Sequence, residues 1–250
     1  MRPSQLSLDD EHSPDAVRRR LGAPLSASYL RDFIYGAIDG AITTFAVVAG
    51  VEGAGLSASV LLILGVANLL ADGFSMAVSN FLGLRAEIQQ LKRARREEER
   101  HVSLVPEGER EEIRQIFAAK GFEGGDLERV VEVITADRDL WVSTMLSEEL
   151  GLGGVKPKPL RAGATTFLAF IAVGTLPLAA FAVDAIVPGG IDGRFAWSAA
   201  MTGVAFFAVG SLKSRFVEQA WWRAGLETLA IGGFAATLAY ATGALLSGIV

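Results

Sequence analysis

The sequence predicts an all-α, polytopic membrane protein: five transmembrane helices, with a small helical cytoplasmic domain inserted between spans two and three. Three observations carry this expectation. Hydrophobic residues make up 51% of the 250 and bunch into runs at about 33–51, 56–84, 162–187, 195–212 and 224–250. Each run is near or above the roughly 18 to 20 residues that cross about 30 Å of hydrocarbon. A polar block from about 85 to 160 interrupts them, and every Lys and Arg except Arg194 falls within 1–31, 85–161 and 213–223. Five spans with the N-terminus inside leave those three segments in the cytoplasm and the C-terminus outside, and short basic loops such as 213–223 set that orientation.

Residues 1–30, opening "MRPSQLSLDDEHSPDAVRRR", read as a polar, poorly ordered tail. Residues 31–84 hold spans one and two, joined by the glycine-rich turn "EGAGLSAS". No proline or glycine lies between Arg85 and Val105, so the second span is expected to continue as one helix into the cytoplasm. Pro106 ends it and opens "PEGEREEIRQIFAAKGF", whose early acids suit a helix N-terminus. Gly121, Gly124 and Gly125 stop that helix, and "DLERVVEVITA" and "RDLWVSTMLSEELGL" follow as two more. Within this insert, 85–160, the residues Ile113, Ile116, Phe117, Val130, Val133, Ile134 and Trp141 recur at helical spacing as a thin core. Packing against a second copy would support so small a core. Residues 161–250 supply spans three to five.

The composition excludes several classes. A net charge of −5 and a pI near 5.2 argue against a nucleic-acid partner. With no cysteine there is no disulfide framework, thiolate metal site or cysteine nucleophile. The first 30 residues show no apolar core followed by a small-residue cleavage site. No vacuolar sorting signal is recognisable, so a bacterial inner (cell) membrane is the expected host.

Polar residues inside the apolar runs carry the chemistry. Asp32 and Asp39 are seven residues apart, two turns along nearly one face of span one. Asn68, Asp72, Met76 and Asn80 recur every four residues along span two. A carboxylate in hydrocarbon costs several kcal/mol, roughly 3 on insertion scales, and marks an ion or proton pathway unless it serves as interhelical hydrogen-bond glue. Met76 is ordinary filler or a soft thioether ligand, and beside carboxylate and amide oxygens it would favour a transition metal over Ca²⁺ or Mg²⁺. In the insert, Glu98 and His101, and likewise Glu109 and Glu112, stand three residues apart on either side of Pro106, and Met145 and Glu149 four apart. Such Glu-x-x-His spacing suits a carboxylate–histidine metal site. The alternative is a solvated charged face.

The segments "RDFIYGAIDGAITTFAVVAGV" and "GVANLLADGFSMAVSNFLGLRAE", followed by an acidic helical insert ending "MLSEELGL", resemble the vacuolar iron transporter family over residues 31–250. That resemblance implies a homodimer of five-span chains moving Fe²⁺, and often Mn²⁺, out of the cytosol in exchange for protons, the metal being cargo and not a cofactor. By position it implies Asp39 and Met76 as pathway ligands, and Glu98, Glu109, Glu112, Met145 and Glu149 as ligands in the insert. The chain departs from the family pattern at His101 and Asn80, where glutamate is common, and at Leu146, where some relatives have methionine. Asp72 adds a carboxylate one turn before Met76, as if charge had moved from position 80 to 72, and Asp32 would collect cations at the cytoplasmic mouth. Two other readings compete. One is a membrane-anchored metal sensor, which would need only the insert. The other is an intramembrane aspartyl hydrolase, an enzyme for which no second motif exists.

Overall fold

The computed structural model describes residues 10–22, 28–154, 157–187 and 191–248, which form helices and connecting turns without a strand among the described residues. In chain order the helices are α1 (Pro14–Gly22), α2 (Leu30–Gly53), α3 (Ala58–Leu104), α4 (Pro106–Ala119), α5 (Gly124–Ala136), α6 (Arg138–Glu148), α7 (Pro159–Gly174), α8 (Leu176–Ile186), α9 (Arg194–Lys213) and α10 (Trp221–Leu246). The expected tail contains α1, with Pro14 at its start, Asp15 in its first turn and Arg19 and Arg20 in its last. Those ends suit the helix dipole, so local sequence alone makes this exposed turn helical. Residues 1–9 and 23–27 lie outside the described residues.

α2 is the innermost helix, with 56% of its apolar window buried against 22% for α3 and 11% for α10. Its glycines explain why. A Cβ at Gly36 would stand 2.3 Å from the Thr166 carbonyl oxygen, and one at Gly40 would stand 2.4 Å from that of Phe170, so α2 and α7 touch backbone to backbone. Near its other end, a Cβ at Gly53 would meet the Tyr240 carbonyl of α10 at 2.3 Å. Such close approach replaces the hydrophobic drive that lipid does not supply.

α3 starts at Ser57, whose hydroxyl accepts from the Val60 N–H, and runs 47 residues without a break, roughly 70 Å at 1.5 Å per residue. Its first half is apolar and its second half packs with α4, α5 and α6 around Val102, Ile113, Val131, Ile134, Trp141, Val142, Met145 and Leu146. Val133, expected in this core, is 51% exposed, and the neighbouring Val131 is buried at 1% in its place. Two residues apart, these valines face roughly opposite sides of α5, and the side that carries Leu127, Val131 and Ile134 is the one packed into the core. Arg95 ties α6 to α3, its guanidinium reaching Glu99 at 2.8 Å and Asp139 at 2.7 Å.

Four helices are long and apolar enough to cross a membrane, and α7 with α8 makes a fifth span if the bent pair counts as one. The chain is thus a polytopic membrane protein. The expected uninterrupted run 162–187 is instead broken after Gly174, with a 52° bend between the two halves. Pro177, in the first turn of α8, has no N–H to continue the helix of α7. The buried Ser198 hydroxyl donates to the Pro177 carbonyl at 2.6 Å, fastening the bend to α9. Arg194, the one cation outside the basic segments, pairs with Asp184 at 2.7 Å and so joins α8 to α9.

Adding a methyl at Gly40 must push α2 off α7, whereas Gly233 has open space around its Cβ position. Gly40→Ala is therefore expected to lower the thermal midpoint of the detergent-solubilised protein by several degrees, a loss of about 2 kcal/mol of the kind overpacking causes. Gly233→Ala should leave it unchanged or raise it slightly. Scanning fluorimetry of both variants checks this.

Candidate metal centre

The insert site is built where α3 ends and α4 begins. Glu98 and His101 share a face of the last turns of α3, and Pro106 folds the chain back so that Glu109 reaches them. One donor atom from each of Glu98, His101 and Glu109 lies within 4.8 Å of the others. Donors on one ion at about 2.2 Å each are at most about 4.4 Å apart, so tenths of an ångström of contraction would close the group on a cation. His101 Nδ1 is 3.5 Å from Glu109 Oε1, and the His101 side chain is 47% exposed where that of Glu109 is 5% exposed, so the histidine is the open door of the site.

Two oxygens are orphaned there. Glu98 Oε2 and Glu109 Oε2 are buried with no hydrogen-bond partner among the described residues. A buried, unpaired carboxylate is costly. Burial, then the charges of Glu112, Glu98 and Glu149, push the Glu109 carboxyl up to about 7, with His101 opposing. Burial and then Glu149 likewise raise Glu98, and burial and then Glu112 raise Glu149. Glu112 and Glu149 are exposed at the rim, close enough to act on the buried pair. Met145, expected as a ligand, lies on α6, fully buried in the hydrophobic cluster beside Val102 and Ile113, one turn before Glu149 at the end of that helix.

The second group lies between α2 and α3. Asn80 Nδ2 donates to Asp32 Oδ1 and to Thr166 Oγ1, both at 2.8 Å, and the Thr166 hydroxyl donates to the Ala162 carbonyl at 3.1 Å. At the far end Asn68 Nδ2 reaches Thr43 Oγ1 at 3.5 Å. The twelve residues from Asp32 to Thr43 thus run against the thirteen from Asn80 back to Asn68, and that register brings Asp39 to the level of Asp72. The two carboxylates are near enough to repel each other. Met76 is half-buried, packed against the central apolar cluster, and Asp72 is exposed on the surface of the single chain. Asp32, expected open at the mouth, is 8% exposed and held by Asn80. Thr43 and Thr166 complete this group. Sequence pattern gave no sign of them, because a threonine bonded to its own helix looks the same as one bridging two.

The profile of the VIT family matches residues 30–244, nearly the whole described chain. The chain belongs to the VIT family. Among VIT-family proteins it is 33% identical to a protein named "Vacuolar iron transporter" from Toxoplasma gondii, over 96% of this chain and 83% of that one. It is 32% identical to "Vacuolar iron transporter 1" from Arabidopsis thaliana, over 84% and 83% of the two chains. A "Vacuolar iron transporter" from Plasmodium berghei is 30% identical over 89% and 84%. These relatives are named transporters and not enzymes.

The charge placement has a consequence for pH. Glu109 titrates near 7 in the fold against an ordinary 4.5, so the folded state holds more protons and the metal-free protein should lose stability as pH rises through that window. A divalent cation binds the ionised form, so its affinity should rise over the same window. Glu109→Gln removes the buried charge. Calorimetry and melting at pH 8 should find it more stable without metal, yet weaker for Mn²⁺ by about tenfold or more.

Proposed function

We propose that this protein exports Fe²⁺ and/or Mn²⁺ from the cytosol in exchange for protons, capturing the ion on the carboxylates of its insert. The observation that carries this reading is the continuity of α3. One unbroken helix bears Asp72 and Met76 within its apolar half and Glu98 and His101 within its polar half, about 40 Å apart at 1.5 Å per residue. A sensor would need only the second group. The names of the relatives, all iron transporters, support the same choice and give iron as the first metal to try.

In this reading the insert, residues 85–160, is cytoplasmic together with the N-terminus, and the C-terminus lies across the membrane. A bacterial inner membrane would give the same polarity as a vacuolar one, metal leaving the cytosol. Glu98, His101 and Glu109 take the ion, with Glu112, Glu149 and the Met145 thioether completing its shell as the rim closes. The ion then passes the mouth, where Asp32 contributes negative charge from a position fixed by Asn80. Asp39, Asp72 and Met76 form the transport site. Like charges held near each other repel unless a cation lies between them, so the site takes up a proton when the metal leaves. Met76 adds softness that favours a transition metal.

The exposed Asp72 supports a homodimer, since a carboxylate facing lipid is untenable and a second copy of α3 would cover it. Light scattering of the detergent-solubilised protein should give twice the 26.4 kDa chain mass, and a monomer would contradict the assembly. Asp39→Asn keeps size and hydrogen bonding but not the titratable charge. In proteoliposomes it should reduce Fe²⁺ and Mn²⁺ uptake by at least about tenfold while eluting as the same oligomer, and wild-type uptake would rule out the proposed transport site.

A further inference from the structure

Away from both metal groups, a cavity of about 300 Å³ is lined by Arg31, Ile34, Tyr35, Lys213, Phe216 and Val217. Its walls are the first turns of α2, the last residue of α9 and the turn that follows. Both ends lie on the insert side of the bundle: α3 returns to the level where α2 begins, and α9 comes back to it after α7 and α8 have crossed. The Arg31 guanidinium lies over the Tyr35 ring, 5.4 Å from its centroid. Lys213 faces Glu227 at 3.2 Å, and the Gln219 amide reaches the same carboxylate at 3.4 Å. Two cations against one acid leave the cavity net positive.

The rest of the lining is apolar and open. Tyr35 is 55% exposed, Phe216 50% and Val217 42%. Large exposed apolar side chains beside two basic groups, at the level where spans meet water, match a ligand with an anionic head and a hydrocarbon body. A free anion would have no use for the apolar wall, and a neutral lipid none for the paired cations. Basic recesses between membrane helices bind anionic head groups for this reason. Aromatic and long basic side chains at the interface serve the same boundary.

We propose that this cavity binds an anionic phospholipid, its phosphate between Arg31 and Lys213 and its acyl chain against Ile34, Phe216 and Val217. The bound lipid would tie the start of α2 to the end of α9, with Arg31 about 12 Å along α2 from Asp39. Its effect would therefore fall on stability first.

The test is a titration of the full chain in neutral detergent with dioctanoyl phosphatidylglycerol, read as thermal midpoint. A saturable rise is expected, with none from dioctanoyl phosphatidylcholine and none from inorganic phosphate. Arg31→Gln and Lys213→Gln should each weaken half-saturation by about tenfold, the scale of one lost charge-assisted contact, and Arg31→Lys should recover most of it. Arg161→Gln, which removes an exposed charge outside the cavity, should bind as the wild type does. Melting without lipid and elution volume establish that each variant is folded, and the Lys213 variant reads the site independently of α2. Equal response to phosphatidylcholine, a response to inorganic phosphate alone, or wild-type binding by both glutamine variants would overturn the proposal.

Discussion

Everything in the membrane half depends on how closely α2 can be approached. Gly36 and Gly40 let the backbone of α7 lie against it, and Gly53 does the same for α10. Held on two sides by backbone contact, α2 has little freedom to rotate about its axis. α3 and α9 take the other sides, and the bonds at Asn68 and Asn80 fix the register between α2 and α3. Two facing carboxylates are thereby placed at one level, although each would be more stable apart. Packing energy spread over the bundle maintains an electrostatic conflict confined to two residues.

The insert follows the same logic by other means. Its hydrophobic cluster, centred on Ile113, Val142 and Met145, sits directly under Glu98 and Glu109. The buried oxygens of those two glutamates find no partner among the described residues. Desolvation is the largest cause of their displaced titration, ahead of any single neighbouring charge. A cation relieves both the missing partners and the mutual repulsion at once. The two groups thus differ in position and share a principle: each is least comfortable when empty and deprotonated.

Much of this was legible in the sequence where a single residue has one strong preference. Pro106 ends α3, and the absence of breakers from Arg85 to Val105 makes it continuous. The stripe of Asn68, Asp72, Met76 and Asn80 was legible as a polar line on α3, and Asn68 and Asn80 on it do bond to α2. The residues that were not legible are those whose role is decided by a neighbour. Val133 is as apolar as Val131, and only the packing of α5 shows that Val131 is the buried one. Thr166 gains its bridge to Asn80 only because Gly36 brings α7 close. Met145 is a ligand candidate by position and a core residue by contact. Pro177 was visible, but the unbroken hydropathy around it hid the bend.

The central claim is that the carboxylates trade protons for metal. Wild-type protein in sealed vesicles carrying a pH-sensitive dye, supplied with Fe²⁺ or Mn²⁺ outside, tests it most directly. An acidic lumen should accelerate metal uptake, the lumen should become more alkaline in step with the metal gained, and a protonophore should abolish the dependence on the gradient. Metal uptake at one rate whatever the gradient, with no change in lumenal pH, would contradict it.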